Sequence, residues 1–474
     1  MSAALAAAHS GAKVLLIESG ERLGGQYWRH LPENGPKAWT GQESLAGDFA
    51  RGALLRAKVM QNPHIEVLFN IHIWQACFMD GQSILQLLQG DTRWEIKSET
   101  VIIATGAYDR ALPFPGWDIP GVMTPGGAQA LLKGSAVKVG KRVVVAGTGP
   151  FLLPVATGLL EAGVEVVGFF EANRTLGWIK YFRVGMSNIS KLKQARNFFN
   201  IFRAHNVKLQ RGFAVMQAHA GEDGQLNSVT VARIDSKFRR KRSDAFNIPC
   251  DALAIGWGFT PELSVANSLG LRQIVSSEDE SVVVEVDDTQ GTSREGIYAA
   301  GEVTGIGGSE LSLIEGEIAG LAASVREGTL STSAFNQMLL SLARKRRREQ
   351  KFASALLRMH PVGSGWIEWV SDKTVICRCE EVTQAEIKAA VHELGATDSR
   401  TVKLFTRCGM GMCQGRVCAR SVIDIVASES KVDPSLKDRI SAGSRPIINP
   451  LALGVLASGA LADCGDVEPK ENSH

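Results

Sequence analysis

Arg142-Val-Val-Val-Ala-Gly-Thr-Gly-Pro150 is an apolar run broken by a glycine turn, and Val164-Glu-Val-Val-Gly-Phe-Phe-Glu171 is a second run closing on an acid. A β-branched run without polar alternation is the pattern of a parallel strand buried on both faces. Gly147 permits a tight turn, Gly149 permits a phosphate to approach the backbone, and the stretch from Pro150 to Ala162 reads as helix. Glu171 follows the turn by about 20 residues, where a carboxylate can accept hydrogen bonds from a ribose diol. Gly147, Gly149, Pro150 and Glu171 are therefore candidate nucleotide-binding residues. Two features depart from the pattern: Leu152 stands where a small residue would let helix and strand pack closely, and Pro154 removes a helical hydrogen bond. They weaken the case for nicotinamide; an adenine nucleotide (ATP or NAD) and a purely structural unit both stand.

The same pattern recurs, incompletely, at the start of the sequence. Ser2–Ser10 is alanine-rich and predicted helical, Gly11 ends the helix, and Lys13-Val-Leu-Leu-Ile-Glu18 is predicted to be a buried parallel strand ending on an acid. The sequence opens about where a first strand and its G-x-G-x-x-G turn would end, so the helix-terminal anion site of that unit is expected to be missing. Gly24-Gly25-Gln26 follows the acid. Val101-Ile-Ile-Ala-Thr-Gly106 is a strand running into a turn of small residues, and Gly296-Ile-Tyr-Ala-Ala-Gly-Glu302 is another.

In this order, these segments resemble the flavoprotein reductases with two dinucleotide-binding domains. The resemblance implies FAD. Glu18, Gly24, Gly25 and Gln26 would wrap its adenosine side, Ala104, Thr105 and Gly106 would form the crossover between domains, and Gly301 and Glu302 would meet the ribityl chain. Glu302 departs from the aspartate more often found there. Gly307-Gly308 leads into a predicted helix, Ser309–Val325, whose positive dipole end would lie near the flavin pyrimidine.

Cys250-Asp-Ala-Leu-Ala-Ile-Gly-Trp-Gly-Phe-Thr-Pro261 reads as the strand returning from the second domain to the first. The expected fold is α/β, a two-dinucleotide-domain (Rossmann-like) flavoprotein carrying a small, mostly helical C-terminal domain. The FAD domain is divided, 1–110 and 259–330, around a second dinucleotide domain at 111–258. A connector (331–373), the cysteine domain (374–432) and a tail (433–474) follow. The first domain has only Cys77, with no C-x-x-C or C-x₄-C pair, which argues against a disulfide reductase.

A chain of 474 residues exceeds a single core, and net charge +3 makes no general case for nucleic acid or membrane. The basic runs Lys237–Arg242, with the single aromatic Phe238, and Arg344–Arg348, with none, read as solvated faces. No apolar stretch approaches the ~20 residues of a membrane span. Pro450–Ala462 is too short, and the alanine-rich start lacks a basic leader, so a cytoplasmic protein is expected. The nine histidines, His360 included, show no ligand spacing.

Five of the eight cysteines gather near the C-terminus, as Cys377-Arg-Cys379 and Cys408-Gly-Met-Gly-Met-Cys413-Gln-Gly-Arg-Val-Cys418. Thiols this close point to a soft metal in a reducing compartment. Helices are expected over Thr383–Leu394 and from Arg416, with Val402-Lys-Leu-Phe strand-like between them. The pattern resembles the bacterioferritin-associated ferredoxin-like [2Fe-2S] domain. That resemblance implies Cys377, Cys379, Cys413 and Cys418 as ligands, with Cys408 left over; a structural zinc site is the alternative.

Taken with Ala104-Thr-Gly-Ala-Tyr-Asp-Arg110 and Pro113-Phe-Pro-Gly-Trp-Asp118, the whole resembles the larger subunit of heteromeric bacterial dehydrogenases. That group includes the larger chains of opine oxidase, D-hydroxyproline dehydrogenase and hydrogen cyanide synthase. It implies a smaller FAD-containing, amino-acid-oxidase-like partner that oxidises a secondary amine to an imine. This chain would relay the electrons to a respiratory or dye acceptor, at most peripherally at the inner membrane. A self-contained NAD(P)H-dependent reductase and a non-catalytic nucleotide-binding scaffold are the alternatives.

Overall fold

Val143, Val144, Val145 and Ala146 have no exposed surface. Their strand, Arg142–Thr148, is the centre of a five-stranded sheet ordered Leu209–Arg211, Glu165–Glu171, Arg142–Thr148, Ala252–Trp257, Val122–Met123, with every neighbour parallel. Val143 and Val145 pack on the helices Pro125–Ser135 and Leu152–Glu161. Val144 and Ala146 pack on the antiparallel strands Phe213–Ala220 and Leu226–Arg233. Cover on both faces explains the unbroken apolar run, and burying each valine contributes on the order of 1.5–3 kcal/mol.

The computed structural model describes residues 1–32, 46–174, 189–241, 245–445 and 447–457. Arg242, Cys464 and residues 458–462 of the predicted apolar stretch lie outside them.

In the first domain Val14–Ile17 pairs in parallel with Ile65–Leu68, and Val101–Ile103 pairs in parallel with Ile297–Ala299. Among the described residues these remain two separate two-stranded sheets. The strand expected to be buried is thus only half-covered, and Leu15 is 40% exposed. The strand pairs along one edge alone, and Val14–Ile17 line a large cavity between the domains instead of packing under a second layer. The helix Ser2–His9 lies on the helix Ser309–Arg326, so close that a Cβ on Gly320 would stand 2.3 Å from the Ala3 carbonyl oxygen. The alanine-rich start is what allows this approach.

Two antiparallel strands, Ala107–Asp109 and Phe259–Pro261, carry the chain between domains. The segment Cys250–Pro261 therefore does two things. Ala252–Trp257 completes the second sheet before Phe259–Pro261 crosses back.

The connector is a 28-residue helix, Thr332–Met359, capped by Ser331. Arg346, within the second basic run, turns inward onto Asp288. The cysteine domain follows: a short hairpin, Val375–Cys377 with Val382–Thr383, then helices Gln384–His392, Ser399–Thr406, Ala419–Ser430 and Leu436–Gly443. The first of these helices opens with a capping box between Thr383 and Glu386. Val402-Lys-Leu-Phe, expected to be strand-like, is helical. Asp398 caps that helix by accepting from the Thr401 N–H at 2.8 Å, and burying Val402 on the domain core outweighs the local strand pattern. This small core is continuous with that of the second domain, and Trp117 Nε1 donates to the Val375 carbonyl at 2.6 Å across the junction.

Candidate active site and cysteine centre

One cavity of about 2480 Å³ runs between the domains. Glu18, Gly24, Gly25, Gln26, Ala104, Thr105, Gly106, Gly301 and Glu302 all line it. The flavin residues expected from the sequence are therefore brought to one place from three separate stretches of chain. Gly106 has φ +76° with nothing near its would-be Cβ, leaving open backbone facing the cavity. The size of the cavity and the open backbone at Gly106 fit an FAD. Glu18 accepts the Gly20 N–H at 2.8 Å, which fixes the carboxylate at the end of its strand.

Two carboxyls flank Gly301: Glu302, which lines the cavity, and Glu315, which accepts the Gly301 N–H. Glu302 accepts the Gly308 N–H at 2.7 Å, at the start of the helix Ser309–Arg326, and burial pushes it up to about 7 against that bond. Glu315, without a signal in the sequence, reaches from the same helix to the Gly301 N–H at 2.9 Å and the Thr304 hydroxyl at 3.2 Å. Burial pushes it also to about 7. A carboxyl raised in the folded state stabilises the fold at low pH, and that contribution is lost as pH rises from about 4.5 through 7. At 1.36 kcal/mol per unit, Glu315 accounts for about 3 kcal/mol of this dependence. Denaturant titrations at pH 5.5 and 8 are expected to show a smaller stability difference for Glu315→Gln than for the parent chain.

At the second unit, Gly147 and Gly149 adopt φ +123° and +108°, and Pro150 follows them into the helix that begins at Leu152. Glu171 is differently engaged from the expectation. Its carboxylate accepts the Gly149 N–H at 3.0 Å, the Thr148 hydroxyl at 2.7 Å and the Asn173 N–H at 3.0 Å. His360 Nδ1 stands 3.5 Å away, and the Asn173 amide donates to the Pro361 carbonyl at 3.0 Å. Burial alone would raise Glu171, but His360, Thr148 and Asn173 outweigh it and hold the carboxyl below its usual range. The end of the connector thus packs against the predicted ribose ligand. His360 has no sequence signal, since 189 residues separate it from its partner.

The cysteine loop closes on itself. The thiols of Cys377, Cys408 and Cys418 lie within 4.8 Å of one another and are buried. The Cys379 thiol hydrogen-bonds the thiol and backbone of Cys413 nearer the surface. The Gly409 N–H donates to Cys377 Sγ at 3.4 Å, and a Cβ on Gly411 would strike that of Cys379 at 2.2 Å. Sequence reasoning leaves Cys408 aside; the structure places it against Cys377 and Cys418. Five thiols around backbone N–H groups fit a cluster that takes four thiolates.

Arg416, between Cys413 and Cys418, reaches out of the loop. Its Nε donates to Glu262 at 2.6 Å, and its terminal nitrogens donate to Ser264 Oγ and the Ile448 carbonyl, each at 3.1 Å. Glu262 in turn donates its N–H to the Gly106 carbonyl at 2.9 Å and accepts the Thr105 hydroxyl at 2.6 Å. The cysteine loop is therefore tied to the crossover between domains. Neither residue of the ion pair stands out in the sequence as a site residue.

The pyridine nucleotide-disulphide oxidoreductase family model matches residues 1–328. The chain belongs to that family. It is an FAD-dependent oxidoreductase whose residues 375–428 match the BFD-like [2Fe-2S] binding domain. Among curated proteins, it is 34% identical to the hydrogen cyanide synthase subunit HcnB of Pseudomonas protegens, over 88% of this chain and 87% of that one. It is 29% identical to a subunit of the opine oxidase of Rhizobium meliloti, over 92% of this chain and 81% of that one. Of solved structures, the L-proline dehydrogenase from P. horikoshii superposes with TM-score 0.65 at 18% identity, over 96% of this chain and 76% of that chain, a likeness of fold. No helix among the described residues is long and apolar enough to cross a membrane.

Proposed function

We propose that this oxidoreductase is the electron-transfer subunit of a heteromeric dehydrogenase that oxidises an opine or another imino or amino acid. The observation that carries this reading is the Gly106–Glu262–Arg416–Cys413 connection, which joins the flavin cavity to the cysteine centre within one chain. FAD supplies two-electron chemistry and a [2Fe-2S] cluster one-electron chemistry. Glu18, Gly24, Gly25, Gln26, Ala104, Thr105, Gly106, Gly301 and Glu302 hold the first; Cys377, Cys379, Cys413 and Cys418 hold the second. The electrons come from a smaller FAD-containing, amino-acid-oxidase-like subunit that converts a secondary amine to an imine, and they leave to a respiratory or dye acceptor. The complex works in the cytoplasm or peripherally at the inner membrane. The curated relatives named above are themselves subunits, which supports the reading.

A second adenine nucleotide, ATP or NAD, at Gly147, Gly149, Pro150 and Glu171 would meet a carboxylate already engaged by Gly149, Thr148 and Asn173. This counts against the self-contained NAD(P)H reductase. NADH added anaerobically to the purified chain is expected to leave its flavin oxidised. A complex with the smaller subunit is expected to bleach on adding a secondary amino acid such as an opine or hydroxyproline. Bleaching of the isolated chain by NADH would overturn the proposal in favour of the reductase.

A further inference from the structure

We infer that Arg416 is the positioning residue that sets the contact between the flavin and the cysteine centre, an inference that rests on the electron-transfer reading above. Its guanidinium is three-quarters buried, as is the Glu262 carboxylate it meets. Four acceptors share it: Glu262, Ser264, the Ile448 carbonyl and, at 3.5 Å, the carbonyl of Cys413. They belong to the crossover, the first domain, the segment after the last cysteine-domain helix and the metal loop itself. A planar fork of five N–H groups can serve acceptors in these several directions, whereas an ammonium cannot hold all of them in one plane. Beyond Glu262 the link continues through Thr105 and Gly106 to the cavity.

Electrons must leave a two-electron reduced flavin singly. With both groups bound, each transfer would take one electron from the flavin to the cluster held by Cys377, Cys379, Cys413 and Cys418, a one-electron dye would accept it in turn, and the flavin protons would pass to solvent. Arg416 acts on this step in two ways. It holds Cys413 at a fixed place relative to Gly106, and its positive charge favours the more negative, reduced state of the centre.

The test uses the full-length chain with both cofactors, its flavin photoreduced and the cluster followed by electron paramagnetic resonance and visible absorbance. Flavin and iron content are measured first. Absence of either from the parent chain sinks the electron-transfer reading itself, separately from the role of Arg416. Arg416→Gln is expected to keep flavin, to shift the cluster midpoint to more negative potential, and to slow cluster reduction at least about tenfold, a barrier change of about 1.4 kcal/mol. Arg416→Lys, which keeps the charge but loses the fork, is expected to restore the midpoint and only part of the rate; it carries the comparison if the glutamine variant loses iron. Trp117→Phe removes a different contact between the cysteine domain and the rest, the Val375 hydrogen bond, and is expected to leave rate and midpoint unchanged. A parent-like rate in both Arg416 variants overturns the inference. Equal slowing in Trp117→Phe also overturns it, because Arg416 would then serve only general docking.

Discussion

Cys413→Ser is expected to strip iron and visible absorbance from the cysteine centre, while Cys408→Ser keeps both. A [2Fe-2S] cluster takes two thiolates per iron. The structure offers a pair near the surface, Cys379 with Cys413, and a buried group, Cys377 with Cys418 and Cys408. Without Cys413 the surface pair is broken, and Cys379 alone cannot complete an iron. Without Cys408 a full pair remains on each side. The serine hydroxyl then replaces a buried thiol, at a packing cost on the order of 1 kcal/mol. Iron analysis and absorbance of the two purified variants decide the matter, and equal loss from both would refute the ligand set. A zinc centre would give no iron and no visible absorbance beyond that of the flavin in any variant, the parent included.

Gly147→Ala is expected to unfold the second domain, or to destabilise the chain by about 4 kcal/mol or more, measured by denaturant titration. A Cβ there would stand 1.8 Å from the Gly256 carbonyl oxygen, and φ is +123°. The obstruction is main chain in the neighbouring central strand, Ala252–Trp257, so no side-chain rotation relieves it. Gly149 is the control. Its φ is +108° but nothing lies within 4 Å of the added carbon, so Gly149→Ala carries only the backbone strain, about 1–2 kcal/mol. Similar losses at both positions would show that the turn tolerates the Gly256 contact and that strain alone matters.

The contrast between these glycines marks how far a sequence can be read. Both fall in the same motif, and the turn they form is legible from it. Which of them touches another strand is not, because Gly256 lies more than a hundred residues away. Val402-Lys-Leu-Phe shows the converse. Four residues of strand-like pattern carry little information, and Asp398 with the burial of Val402 decides for helix. The half-covered strand Val14–Ile17 reads as buried because composition records apolarity, not how many neighbours a strand has.

Sequence alone determined the chemistry available to this protein. Glycine turns after apolar runs, acids at strand ends and five clustered thiols name dinucleotide units and a soft-metal centre, because local backbone geometry and ligand softness are properties of short segments. Only the tertiary structure decided how those parts meet. It placed His360 by Glu171, Glu315 under Gly301, and Arg416 on Glu262 beside the crossover between domains. A charged side chain finds its partner through burial and the packing of domains, and neither is written within the few residues around it.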